Sequence, residues 1–338
     1  MWQNRHIRFP EFWKQLLVIL LLASIVIPGG AGATYAGDRP LNASYQADNH
    51  GGYLFSLGDS RYSGTLEQHA TYNVSYSLSL PDDSTVRFQR LYVYWAWSKI
   101  DQNAVYPTFR MRDSRQPSTD LSLVSRYTDS KGFTGTYDFY TGVDAFELFP
   151  LHAGSNNFTV TLEQNGLPNS SVLVFGSGVL SVYESPASPR TLLWVREGND
   201  LMYSSYGVSP EMASNEMIFE GELPKGRIEQ ADLFLVAPSG GYSRDLESDI
   251  NKLMVNRLDE EKTPPLIRTI FSLLFPNYQG KEWSDIFNTD NSTQIGFETK
   301  DIKPYLKAEN NKVTVRDQGD YFQLTNVILS IRMAGEST

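Results

Sequence analysis

NNFTVTLEQNG (156–166) and NNKVTVRDQG (310–319) are two writings of one strand, offset by 154 positions. In the first, Phe158, Val160 and Leu162 alternate with Thr159 and Thr161, the period of a strand with one buried face. The stretches around them match as well. SLSLPDDSTVRFQRLYVYW (77–95) runs parallel to FEGELPKGRIEQADLFLVA (219–237): a strand, a Leu-Pro step, a polar turn, then a strongly apolar strand. FELFPLHAGSNNFTVTL (146–162) parallels KDIKPYLKAENNKVTV (300–315), with Pro150 against Pro304 and Val160-Thr161 against Val313-Thr314. GVLSVYE (178–184) parallels VILSIRM (327–333) through a shared Leu-Ser. Three blocks in one order, at a spacing far longer than a solenoid repeat, predict a duplicated domain.

The blocks alternate as strands do, and Gly, Asn, Asp and Pro punctuate them. RLYVYW and LFLVA are apolar on both faces, so they are expected in the middle of a sheet. The fold class expected is all-β: two tandem antiparallel β-sandwich, jelly-roll-like domains at 38–186 and 187–338. ESPASPR (184–190) would be an extended link between them. The second domain is expected to carry a helical insertion at about 243–287. Leu246, Ile250, Leu253, Met254 and Leu258 follow helical spacing. Pro264-Pro265 then opens LIRTIFSLLF (266–275), and Pro276 closes it. That second helix is apolar on nearly every side. Leu266, Ile267, Ile270, Phe271 and Leu274 are therefore candidates for docking against another subunit, the neighbouring domain or the membrane surface, with intramolecular burial the expected outcome.

At 338 residues, with 41% hydrophobic and 20% charged residues, the chain can bury two cores without help from disulfides. It has no cysteine, which excludes thiol nucleophiles, thiolate metal sites and redox pairs. The net charge of −10 argues against a nucleic-acid partner. The N-terminus reads as an export signal: basic Arg5, Arg8 and Lys14, the apolar run LLVILLLASIVI (16–27), and Ala31-Gly32-Ala33 as a cleavage site. Residues 1–33 would be removed and the mature chain would start near Thr34. That step takes away three basic residues and one acid (Glu11), moving the charge from −10 to −12. The alternative is an uncleaved anchor, the one membrane contact expected. Export makes the Asn-x-Ser/Thr sequons at Asn42, Asn73, Asn157, Asn169 and Asn291 candidates for glycosylation.

GGYLFSLGDSRYSG (51–64), RLYVYWAWS (90–98), SRYTDSKGFTGTYDFYTG (125–142), VLSVYES (179–185) and WVREGND (194–200) resemble the segments of an uncharacterised secreted β-sandwich domain family of methanogenic archaea. The resemblance covers most of the mature chain. It implies an archaeal cell-surface or extracellular setting and supplies no catalytic residue.

The residues themselves point away from catalysis. His50, His69 and His152 are scattered, and His6 lies in the signal. Neither a nucleophile elbow nor a phosphate loop occurs; GSG (176–178) is expected to be a bulge in an apolar strand. A hydrolase needs two carboxylates at suitable separation, and lone acids such as Asp113 and Asp138 read better as turn formers. No metal site and no cofactor is expected. Structural calcium is the one softer option, at Asn288, Asp290 and Ser292, although the glycine and closing Glu of an EF-hand are missing. GDS (58–60) and GND (198–200) both read as turns.

YVYWAWS offers the most suggestive surface chemistry. Strand alternation puts Leu91, Val93, Trp95 and Trp97 on one side and Tyr92 and Tyr94 on the other. Exposed, Trp95 and Trp97 would stack on sugar rings; buried, they are core, the outcome expected of Trp. The function expected is a non-enzymatic structural or adhesive role at the cell surface, with surface proteins or glycans as partners. A carbohydrate-binding module and a glycan hydrolase are the alternatives.

Overall fold

The strand quoted first is β9 of eighteen among the described residues. The first ten are β1 (Asn42–Ser56), β2 (Thr65–Glu67), β3 (Thr71–Leu80), β4 (Thr85–Ile100), β5 (Asn103–Ala104), β6 (Phe109–Asp113), β7 (Leu123–Asp129), β8 (Thr141–Phe146), β9 (Gly154–Gln164) and β10 (Ser170–Glu184). There follow β11 (Arg190–Met202), β12 (Ser214–Glu222), β13 (Ile228–Pro238), β14 (Asn251–Val255), one helix α1 (Pro265–Leu274), β15 (Lys281–Ser284), β16 (Ile295–Asp301), β17 (Glu309–Asp317) and β18 (Phe322–Met333). The structure is a computed structural model and describes residues 39–129, 131, 141–205, 207–241, 250–258, 265–274, 279–287 and 294–335, with backbone alone at 267, 268, 271 and 272.

The protein is all-β, and every strand pair is antiparallel. One eleven-stranded sheet runs β16-β13-β18-β11-β1-β10-β4-β8-β7, with β2 on β10 and β5 on β4. A three-stranded sheet, β3-β9-β6, and a four-stranded sheet, β12-β17-β14-β15, account for the other described strands.

The repeated sequence blocks occupy repeated places. β9 lies between β3 and β6, and β17 lies between β12 and β14. β10 pairs with β4, and β18 with β13. Val160 pairs with Val74 and Val313 with Met217, all four facing cores. The doubled asparagine has a local cause in each copy. The amide of Asn156 closes the preceding loop, accepting from His152 N (3.1 Å) and donating to His152 O (2.8 Å). Asn311 does the same with Lys307, at 2.7 and 3.2 Å.

One match slips. Leu180 pairs with Arg90, whereas Leu329 pairs with Leu233, so Val179, which pairs with Leu91, holds the place of Leu329. A bulge in β10 at Val174/Gly176 and one in β4 at Val86/Phe88, opposite Val182/Tyr183, change the parity. The first of them is the bulge expected at GSG.

Three apolar clusters hold the sheets. The first lies between β3-β9-β6 and the large sheet and contains Val74, Leu78, Val160, Leu91 and Trp95. A second lies under β12-β17-β14-β15 and contains Met217, Phe219, Val313 and Leu233. A third joins the remaining faces of the large sheet: Tyr92, Tyr94 and Leu180 pack with Phe234, Val236 and Ile328. Tyr94 Oη donates to Asn326 Oδ1 at 2.8 Å across this seam. This is why RLYVYW is apolar on both faces: Leu91, Val93 and Trp95 fill one cluster, Tyr92 and Tyr94 another. Burying each such side chain is worth about 1.5–3 kcal/mol.

Residues 35–338 form one compact unit. The 184–190 stretch is a tight turn and not an extended link. Asp83 ties it down, accepting from Ser185 Oγ (2.6 Å) and Ala187 N (3.1 Å).

The stretch expected to hold a helical insertion has a different make-up. Residues 251–255 of the first expected helix are a core strand, β14, pairing with β17 and β15. Leu253 and Val255 point into the core two residues apart. A short apolar run fits both periods, and here the open edge of β17 decided for strand. Residues 242–249, with Leu246, lie outside the described set. The second helix forms as α1.

Candidate functional site

Trp95 and Trp97 part company. Trp97 takes a left-handed φ of 52°, and the pairing of β4 with β10 shifts register between Ser171 and Leu173. The bulge breaks strand alternation. Trp95 is fully buried, its Nε1 donating to Asp144 Oδ1 at 3.1 Å. Trp97 is 46% exposed. The two rings therefore do not form a shared platform, because one is core. Asp144 also receives Arg126, whose Nε lies 2.7 Å from Oδ1. Burial raises the Asp144 carboxyl above the ordinary carboxylate range, against the pull of Arg126 and Trp95.

The docking candidates lie on α1, where Leu266, Ile270 and Leu274 are exposed, as is Leu273. Side chains of Ile267 and Phe271 fall outside the described residues. Intramolecular burial was the expectation for this helix, and its described apolar side chains do not follow it. No described helix is long and apolar enough to cross a membrane. Asn42, Asn73, Asn157 and Asn169 are all exposed; Asn291 lies outside the described set, as do Asn288, Asp290 and Ser292. Among the described residues no group of three His, Asp or Glu side chains is placed to hold a metal ion. GDS (58–60) makes its turn, but GND (198–200) lies within β11.

That second Gly-Asp leads to a charged cluster the sequence did not single out. β11 bulges between Glu197 and Asp200 where it pairs with β18. Asn199 Nδ2 donates to Thr141 Oγ1 on β8 (3.1 Å), and Leu201 N donates to Asp129 Oδ2 at the end of β7 (2.9 Å). Lys131, 1% exposed, reaches into this joint. Its Nζ contacts Asp200 Oδ1 directly and lies 3.1 Å from Asp129 Oδ2. Asp200 accepts on both oxygens, from Arg39 N (3.0 Å) on Oδ1 and from Asn215 Nδ2 (2.6 Å) on Oδ2. Arg39 Nε stands 3.6 Å from Asp129 at the rim. Burial pushes the Asp200 carboxyl up to about 6, although Lys131 beside it works the other way. An ammonium between two carboxyls, shut away from water, is costly to assemble, and its hydrogen bonds are what hold it.

Asp129 and Lys131 belong to SRYTDSKGFTGTYDFYTG and Asp200 to WVREGND, two of the segments that carry the family resemblance. That common membership was the only signal in the sequence. Sixty-nine residues separate Lys131 from Asp200, and no spacing rule connects them.

The sequence profile described as "Protein of unknown function (DUF3344)" matches residues 34–332. The chain belongs to this family. No curated protein matches it by sequence. Among solved structures, the major capsid protein P2 from bacteriophage PM2 is similar at 9% identity and TM-score 0.20, over 84% of this chain and 99% of that one. A chain of the Sputnik virophage is similar at 10% identity and TM-score 0.17, over 87% and 88%. At these scores the likeness fixes neither topology nor role.

Proposed function

We propose that this DUF3344 protein is an exported, non-enzymatic component of an archaeal cell surface, structural or adhesive in role and acting through protein or glycan contacts. In this reading residues 1–33 are an export signal, and 38–186 and 187–338 are two copies of one jelly-roll-like sandwich fused along the large sheet. The observation that carries it is the outer face of β3 and β9. Asn73 pairs with Thr161 and Asn157 with Ser77, so two exposed sequons share one face. Four residues of strand separate them, about 13 Å. The positions around them are Ser and Thr: Ser75, Ser79, Ser155 and Thr159. A flat hydroxyl-rich face bearing two glycan sites suits a chain that meets its partners outside the cell.

Protein recovered from native cells tests this. We expect an N-terminus near Thr34 and glycopeptides at Asn73 and Asn157. A cytoplasmic protein with intact Met1 and bare asparagines would sink the proposal, while intact Met1 in the membrane fraction would replace the cleaved signal with an anchor. The half-exposed Trp97 favours a second reading, a carbohydrate-binding module centred on residues 38–186. A glycan array with wild type and Trp97→Ala separates the two: saccharide binding lost in the variant would favour the module.

A further inference from the structure

We propose that Lys131 and Asp200 become joined by an intramolecular amide bond, formed without any cofactor inside the buried joint between β7 and β11, with Asp129 as the proton carrier. The parts and their placement point to this chemistry. The nucleophile is Lys131 Nζ, already touching the carboxyl it would attack. Reactive atoms held at contact in a closed site gain what free reactants lose in entropy. The electrophile, Asp200, has a donor on each oxygen: Arg39 N on Oδ1 and Asn215 Nδ2 on Oδ2. Such donors stabilise the oxyanion of a tetrahedral intermediate. Asp129 Oδ2, 3.1 Å from Nζ, is within reach of the proton that must leave. Lys131 and both carboxyl groups are shielded from solvent: the relative side-chain exposures are 1% for Lys131 and 0% for Asp129 and Asp200.

The step balances without an oxidant or a reductant. A proton passes from the Lys131 ammonium to Asp200 Oδ1, giving an amine beside a neutral acid. The raised carboxyl of Asp200 favours that form. The Nζ–Cγ bond then forms and negative charge collects on Oδ2, facing Asn215. Asp129 takes the surplus proton from Nζ and returns it to Oδ1. The Cγ–Oδ1 bond breaks, Oδ1 leaves as water, and Oδ2 remains as the amide oxygen. Asp129 ends as it began.

The bond would tie β7, at one edge of the large sheet, to β11 in its middle, across the joint between the two repeats. It stands independently of where the protein resides.

Mass spectrometry of the full chain, made in a host that does not glycosylate it, tests the proposal. Proteolysis should yield one branched peptide containing Lys131 and Asp200, lighter by one water than the two segments together, and trypsin should fail to cut after Lys131. Lys131→Arg should give unlinked peptides and a folded protein by circular dichroism. Asp129→Asn, which keeps the shape of the side chain, should also leave the peptides unlinked. Recovery of separate unmodified Lys131 and Asp200 peptides from folded wild type would overturn the proposal. A branched peptide lighter by one ammonia, joining Lys131 to Asn215, would overturn the choice of Asp200. A linked Asp129→Asn protein would overturn the role of Asp129.

Discussion

Trp95 stands opposite Gly142 across the β4–β8 pair, and Ala237 stands opposite Gly296 across the β13–β16 pair. The two glycines hold the same place in the repeated pattern. A methyl group on Gly142 would come 2.3 Å from the Trp95 ring; one on Gly296 would come 2.6 Å from Phe287 Cβ. Both repeats thus press an aromatic residue onto a strand glycine. In the first repeat the strand supplies it. In the second the strand position is a mere Ala, and Phe287, following β15, fills the space and packs on Phe322 with ring centroids 5.3 Å apart. Phe287 does so at φ 68°, a left-handed backbone that costs about 1–2 kcal/mol. The frame fixes the volume that must be filled, and the segment that fills it is free to change.

The sharpest way to break this equivalence is to empty both places. Trp95→Ala and Phe287→Ala should each lose about 3–5 kcal/mol, read from urea unfolding. A loss below about 1 kcal/mol in either would end the claim that they serve one purpose.

The repeats also differ in how they bury carboxylates. The first uses arginine: Arg126 on Asp144, and Arg115 on Asp113, with Arg115 Nε 2.9 Å from Oδ2. In the second, away from the Lys131 cluster, Asp317 and Asp320 rest mainly on backbone amides, with Asn251 Nδ2 also donating to Asp320 (2.8 Å). Asp317 accepts from Ser204, Gly319 (3.1 Å) and Asp320 (2.7 Å), and Asp320 from Gly241 (2.8 Å). Arg126→Met leaves Asp144 without its cation and should cost about 2–3 kcal/mol, less than a fully buried pair because Arg126 is 24% exposed.

Asp317 sharpens the contrast through pH. Burial raises its carboxyl above the ordinary 3.8. A raised acid contributes stability that is complete below 3.8 and is lost as pH climbs through the raised value. The stability of wild type relative to Asp317→Asn should therefore fall as pH rises above about 4, measured by unfolding across that range. A difference that grows with pH would reverse the assignment. The smallest effect belongs to Trp97→Ala, which should change stability by less than about 1 kcal/mol, two residues from the costliest site in the same strand.

Sequence alone carried the all-β class and the central place of RLYVYW. Both rest on a period of two, which backbone pairing respects. It misplaced Leu253 and Met254, because five residues of mixed periodicity fit either a helix or a strand and the waiting edge of β17 chose. It set Trp95 and Trp97 on one face, because alternation holds only until a bulge, and the bulge comes from the register against β10. It passed over Lys131, Asp129 and Asp200 altogether. Their meeting depends on β11 running beyond its pairing with β1 to lie against β7 and β8. Local pattern records what each residue prefers; which distant residue it touches is settled only when the sheets close on their cores.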